Sequence, residues 1–366
     1  MSRFFIGLMS GTSLDGVDIA IVDFQAEPAK LIYSLYYTYP ADLLEAIKII
    51  CRDSSTSFDQ LGQLDAQLGE FYARAIQQAL SESALNAQDI IAIGSHGQTI
   101  QHSPNGAIPY TLQIGDPNRI AENTGVSVVA DFRRRDIAAG GQGAPLVPAF
   151  HQASFQSSSQ TRAIINIGGI ANISYLSKHS AEPLIGFDCG PGNTLMNQWC
   201  QRHFSREYDK SGQLASEAQL NSKLLNSLLS DSYFAKAHPK STGPEYFNLN
   251  WLTHHLEQHP CSQHDTLRTL CELTVRSIQC SLATLGKIDQ VFLCGGGVHN
   301  DFLVKRLRSQ LDIPVETTEA LGIPADWLEA IAFAWLAKQT IEGKPGNSPT
   351  VTGANRSLIL GAIYPA

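Results

Sequence analysis

Two glycines, three hydroxyls and two carboxylates share the short run Ser10–Asp18. Gly11 and Gly16 bare the backbone N–H groups, Ser10, Thr12 and Ser13 add hydroxyls, and Asp15 and Asp18 add carboxylates. Unhindered amides and hydroxyls suit a polyphosphate, and carboxylates suit the Mg2+ that accompanies one. The run lies between the apolar Phe4–Met9 and an alternating stretch ending at Asp23, so it also reads as an ordinary glycine-rich hairpin. A second strand–glycine–strand unit, with Gly168-Gly169 between its apolar runs, favours the phosphate reading.

Further along, Asp188 precedes Gly190-Pro191-Gly192-Asn193 at the start of a helical pattern. Amides at a helix start face an anion with the positive end of the dipole. A carboxylate just ahead of them serves as general base, as a water-mediated Mg2+ ligand, or simply as the helix cap. Gly295, Gly296 and Gly297 follow an apolar run and would let the base or ribose of a nucleotide lie flat on the backbone; a plain turn is the other reading. Arg133 and Arg135, alternating at a strand end, would share a face and suit a planar carboxylate, or else decorate a solvated turn. His96, Gln98 and Asp131 offer hydrogen bonds to a sugar, although a structural, fully bonded histidine fits equally well.

Other signatures are missing. No G-x-x-x-x-G-K-[ST] occurs, Asn300 stands where a dinucleotide fingerprint needs its third glycine, and Asp15 stands where a nucleophile elbow needs glycine. His254, His255, His259, Cys261 and His264 cluster in sequence, but Leu256 replaces the glutamate of a zinc motif.

The elements that must carry these residues come twice, in one order: a β-hairpin, a third strand, then alternating helices and strands. In the first half the periodicity predicts strands at 4–9, 17–23, 31–37, 90–93 and 126–130, with amphipathic helices at 43–50, 61–76 and 145–155 and a helix opened by Asp116-Pro117. In the second half it predicts strands at 163–167, 171–175, 184–187 and 291–293 and a short one from Val315. Helices follow Asn193, span 266–285 and open at Pro324, while polar, helix-rich sequence fills 205–265. The polar seam Ser157–Gln160 divides an N-terminal domain, 1–158, from a C-terminal one, 159–345; the tail 346–366 packs back onto the body.

With 366 residues the chain can bury two cores, and 43% hydrophobic with 16% charged residues is a globular composition. A net charge of −8 argues against nucleic acid as a partner. No apolar run reaches spanning length, so no membrane role is expected. Met1-Ser2-Arg3 leads into a strand and not a signal peptide, and seven scattered cysteines suit reduced thiols in the cytoplasm.

Nine segments go further: G-L-M-S-G-T-S-L-D-G-V-D at 7–18, G-S-H-G-Q-T at 94–99, A-D-F-R-R-R-D-I-A-A-G-G-Q-G-A-P-L-V-P at 130–148, N-I-G-G-I-A-N at 166–172, G-F-D-C-G-P-G-N at 186–193, K-S-T-G at 240–243, C-G-G-G at 294–297, P-G-N at 345–347 and V-T-G-A at 351–354. Together they closely resemble the anhydro-N-acetylmuramic acid kinases of bacterial cell-wall recycling, over nearly the whole chain. The resemblance implies an α/β fold of two RNase H-like domains facing an interdomain cleft, in the actin, hexokinase and Hsp70 superfamily. It implies an ATP- and Mg2+-dependent enzyme that opens the 1,6-anhydro ring of 1,6-anhydro-N-acetylmuramic acid with water and phosphorylates O6, giving N-acetylmuramic acid 6-phosphate and ADP. On that pattern Gly11, Thr12, Ser13, Leu14, Asp15, Gly16, Val17 and Asp18 form the ATP phosphate loop, joined in ATP binding by Gly190, Gly192, Asn193, Gly295, Gly296 and Gly297. Asp188 would be the base that activates water, Asp15 and Asp18 candidate Mg2+ ligands, and His96, Gln98, Asp131, Arg133 and Arg135 the sugar contacts. Relatives look dimeric, so a homodimer is expected. Two rival readings are a kinase acting on an ordinary hexose or amino-sugar hydroxyl without ring opening, and a non-enzymatic ATPase-fold protein.

Overall fold

The computed structural model describes residues 3–11, 16–52 and 56–366. Two compact units emerge: Met1–Ser154 with Trp327–Ala366, and Phe155–Asp326.

The first unit is built on β1 (Phe4–Met9), β2 (Gly16–Asp23) and β3 (Lys30–Thr38), an antiparallel meander. After the helices Ala41–Arg52 and Phe58–Glu82, β4 (Ile90–Ser95) returns parallel to β1. A small hairpin, β5 (Gln98–Ser103) with β6 (Tyr110–Ile114), and the helix Pro117–Thr124 follow; β7 (Val128–Ala130) then lies parallel to β4. That helix starts as its sequence demands, with Asp116 accepting the Asn118 N–H at 2.9 Å and Pro117 in the first turn. The tail strand Ala362–Tyr364 closes the outer edge against β7. Residues of β1 and β4 are buried on both faces, which is why they read as continuous apolar runs instead of alternating ones.

The second unit repeats this plan. β8 (Arg162–Ile167), β9 (Ile170–Leu176) and β10 (Ile185–Pro191) form the meander, and β11 (Gln290–Cys294) and β12 (Val315–Thr317) add in parallel. Counted within each unit, the spatial order is 3-2-1-4-5 in both, the RNase H-like order. The long helix Gln263–Ala283 buries Leu267, Leu270, Leu273 and Ile278 against the second core.

The helix Leu328–Ile341 departs from the expectation drawn from chain order, which gave it to the C-terminal domain; it packs on the first sheet. Its seat is made by Gly7 and Gly94, neighbours across β1 and β4. A Cβ at Gly7 would stand 1.8 Å from the Ala330 carbonyl oxygen, and one at Gly94 2.0 Å from that of Phe333. Only bare backbone lets a helix approach a sheet so closely. The β5–β6 hairpin, unforeseen in the sequence reading, is the other addition to the plan.

Candidate active site

Asp188 lies on β10 opposite Asn172, where a register shift before Gly190 bends the strand. Three bonds from the insertion after β10 fix it. Its N–H donates to the Lys240 carbonyl at 3.0 Å, its own carbonyl accepts the Tyr233 hydroxyl at 2.8 Å, and its Oδ2 accepts the Thr242 N–H at 3.0 Å. The carboxylate therefore does not cap the following helix, which begins at Thr194 with Asn193 ahead of it. Burial pushes the Asp188 carboxyl up to about 7; the Thr242 amide and the Lys240 cation pull it down, and Glu245 adds to the rise. Such a group exchanges a proton near neutral pH, as a general base must. The neighbouring Cys189 is buried, and its thiol, pushed up to about 12, is no nucleophile.

The glycines around it do different work. Gly190 and Pro191 close β10, and the amides of Gly192, Asn193 and Thr194 bond the carbonyls of Gly169, Gly168 and Gly169 at 2.9, 2.8 and 3.1 Å. The expected row of amides thus faces the β8–β9 turn and staples it. A Cβ at Gly295 would meet Asn166 Oδ1 at 2.1 Å, and one at Gly297 would meet Ile167 Cγ2 at 2.4 Å, so both glycines are required by packing. Gly296 is exposed, with nothing within 4 Å of such a Cβ. Of the three, it alone offers open backbone to a ligand.

In the first unit, Thr12, Ser13, Leu14 and Asp15 lie outside the described residues. Gly11 ends the described part of the approach; Gly16 opens β2 against Tyr36 and Tyr37; Val17 is core; and Asp18 sits opposite Met9. Just past β1, Ser10 Oγ bonds Gln98 Oε1 and, at 2.7 Å, the Tyr39 hydroxyl. Gln98 is buried with its Nε2 on the Thr99 carbonyl, so it braces Ser10 at the end of β1.

His96 is likewise spoken for. Its Nδ1 lies 3.1 Å from the Ser10 carbonyl and is therefore the protonated nitrogen; Nε2 accepts from Arg133 Nε at 3.1 Å and from its terminal nitrogen at 2.9 Å. Burial, then the Arg133 charge, drives the ring down to about 3, so it is neutral at physiological pH. Arg133 also donates to the Gly143 carbonyl at 2.8 Å. Burial draws its guanidinium down to about 10, and no carboxylate bonds it among the described residues. Arg135 does not share its face: it is exposed and donates to the Ile359 carbonyl at 2.9 Å. The strand alternation assumed for the pair fails because β7 stops at Ala130, Asp131 turns with φ +61°, and a helix, Arg134–Ala138, begins at once.

Asp131, 3.6 Å from Arg134, borders a recess of about 80 Å3 at the ends of β4 and β7. Asp65, Ser95 and Gln113 also line it, and Ser95 Oγ and Gln113 Oε1 are buried without a partner among the described residues. Burial raises the carboxyls of both Asp65 and Asp131. Oxygen acceptors in a pocket of this kind suit the hydroxyl and amide donors of a sugar.

Sequence reasoning missed several supports. Asp136, fully buried, gathers Asn347 Nδ2 at 2.7 Å, Thr352 Oγ1 at 2.7 Å and the Gly143 N–H at 2.8 Å, tying both tail motifs to the loop that holds Arg133. Tyr233, Lys240 and Thr242 were likewise unassigned. The only signal was the K-S-T-G segment itself. Among the described residues no group of three or more His, Cys, Asp and Glu side chains could hold a metal. His255 instead bonds Ser227 Oγ at 2.9 Å.

Both units are α/β with one strand order, and β10 of the second carries the Asp188 carboxylate. The sequence model of the anhydro-N-acetylmuramic acid kinase family matches residues 3–366. A relative so named from Vibrio vulnificus (strain YJ016) is 47% identical over 366 residues, 99% of this chain and 98% of its own. Another, from Coxiella burnetii (strain Dugway 5J108-111), is 48% identical over 362 residues, 98% of this chain and 97% of its own. The chain belongs to that family.

Proposed function

We propose that the protein uses ATP to convert 1,6-anhydro-N-acetylmuramic acid into N-acetylmuramic acid 6-phosphate in cell-wall recycling, with Asp188 as the base. The observation that carries this reading is the Asp188 carboxylate, anchored by the Thr242 amide and lifted by burial to about 7. Asp188 takes one proton from water while the oxygen bonds the anomeric carbon. The C1–O6 bond breaks, O6 attacks the γ-phosphorus and ADP leaves; the proton passes on to solvent. Ring opening itself thus makes the phosphoryl acceptor.

Gly11–Asp18 is the proposed phosphate loop, with Gly296 under the nucleotide. Asp18, an oxygen donor at the start of β2, and Asp15 are the residues that would hold Mg2+, which supplies charge neutralisation at the phosphates. Arg133, a half-buried cation aligned by His96 and bonded by no carboxylate among the described residues, is our choice for the lactyl carboxylate; Asp131 and its recess would receive sugar donors. A cytoplasmic homodimer completes the proposal, and light scattering of the purified chain tests the dimer. No helix among the described residues is long and apolar enough to cross a membrane.

Mass spectrometry of the product decides the chemistry. A gain of one water plus one phosphoryl group supports ring opening, whereas a gain of the phosphoryl group alone refutes it.

A further inference from the structure

One hydroxyl beside Asp188 has no partner among the described residues. Thr242 gives its backbone N–H to Asp188 Oδ2 at 3.0 Å, yet its Oγ1 is buried and bonds nothing among the described residues. Buried polar atoms are nearly always bonded, and an orphan marks where a water or ligand atom belongs.

The segment that carries it is held tightly. Asp231 gathers the Tyr233 N–H at 2.8 Å, the Tyr246 hydroxyl at 2.8 Å and Trp251 Nε1 at 2.9 Å. Tyr233 in turn bonds the Asp188 carbonyl, Lys240 accepts the Asp188 N–H, and the Lys240 ammonium sits 4.9 Å from the centre of the Tyr233 ring. Strand and insertion are thereby locked together, and the threonine hydroxyl is fixed relative to the carboxylate.

We infer that Thr242 Oγ1 is the second anchor of the attacking water, which it shares with Asp188. This inference rests on the reading of Asp188 as the base. A water giving one hydrogen to the carboxylate and the other to Thr242 Oγ1 has its lone pairs turned away from both, toward the anomeric carbon. The hydrogen on Asp188 is lost as the oxygen–carbon bond forms and C1–O6 breaks; the hydrogen on Thr242 stays with the new anomeric hydroxyl. Thr242 therefore acts on the orientation of the nucleophile and not on substrate affinity.

Thr242→Val keeps the amide and the side-chain shape but removes the hydroxyl; Thr242→Ser keeps the hydroxyl. In Thr242→Val kcat should fall roughly 30- to 100-fold with the sugar KM within about threefold, while Thr242→Ser stays within about fivefold of the parent. Thermal melting checks both variants. If the valine form melts early, Thr242→Ala carries the same test. Parental kcat in the valine variant, or a serine variant as slow as the valine one, overturns the inference. A raised sugar KM with kcat intact also overturns it, placing the hydroxyl on the sugar. An inactive Asp188→Asn beside a fully active Thr242→Val sinks this inference alone, whereas a fully active Asp188→Asn sinks the functional reading beneath it.

Discussion

Replacing Asp188 by Asn should abolish turnover and, separately, flatten the pH dependence of folding. Burial lifts this carboxyl from 3.8 to about 7, so the folded chain holds the proton more tightly than the unfolded one. A raised acid of this kind contributes stability that is fully present below the unfolded value and is lost as pH rises to the folded value. Between pH 5 and pH 8 the loss accrues up to about pH 7, at about 1.4 kcal/mol per pH unit, which sets a ceiling of about 3 kcal/mol. The side chain is only partly shielded from solvent, and water access reduces the expected loss to about 1–2 kcal/mol. Asparagine stays neutral across this range and still offers an oxygen to the Thr242 amide. Urea unfolding of both proteins at pH 5 and pH 8, without ligands, gives the double difference in which all other titrating groups cancel. The parent should lose about 1–2 kcal/mol more than the variant. Equal losses would refute the description of Asp188 as a carboxyl raised by burial, whatever the activity assays showed.

Gly94→Ala places a Cβ 2.0 Å from the Phe333 carbonyl and should cost about 2–3 kcal/mol; an unchanged melting temperature would contradict the seat proposed for the helix Leu328–Ile341. Gly296→Val should leave melting unaltered but raise the ATP KM roughly tenfold, whereas Gly297→Val, 2.4 Å from Ile167, should destabilise the fold; equal melting of the two would show that packing does not separate them. Arg133→Ala should raise the sugar KM far more than the ATP KM, and His96→Ala should do so more weakly, by freeing the guanidinium. Because the His96 ring titrates at about 3, kcat/KM should climb through one limb near pH 7 set by Asp188, with no histidine limb; a limb that vanishes in His96→Ala would contradict this.

Much of the fold was legible because the signals were local. Both meanders showed as apolar runs broken by glycines, and Asp116-Pro117 marked its helix through capping chemistry. The helix Leu328–Ile341 was given to the second half by chain order alone, and it packs with the first. Its true seat was written in Gly7 and Gly94, 87 positions apart, and only strand pairing brings them together. The candidate site divides the same way. Asp188 was readable from its place before a glycine turn, but the turn's amides were credited to a phosphate and bond Gly168 and Gly169 instead. Arg133 and Arg135 were paired by strand alternation, and the left-handed Asp131 ends the strand before that alternation can apply. His96 and Gln98 are polar residues whose bonding is satisfied from elements distant in sequence, and composition cannot reveal that.

The proposed role of Asp188 as a base rests on the balance between two effects of one insertion. A carboxylate at a bare strand end would be solvated and would titrate in the ordinary range, too acidic to hold a proton from water at neutral pH. The insertion bonds the Asp188 backbone through Tyr233 and the Lys240 carbonyl, and burial raises the group; the Thr242 amide, from the same segment, bonds the ionised form and, with the Lys240 cation, limits the rise. Burial alone would leave a protonated acid unable to accept anything, and the amide alone would leave a weak base. The insertion supplies both, so loss of its anchor at Asp231, which holds Tyr233, Tyr246 and Trp251 together, should lower activity through Asp188 without touching any reacting atom.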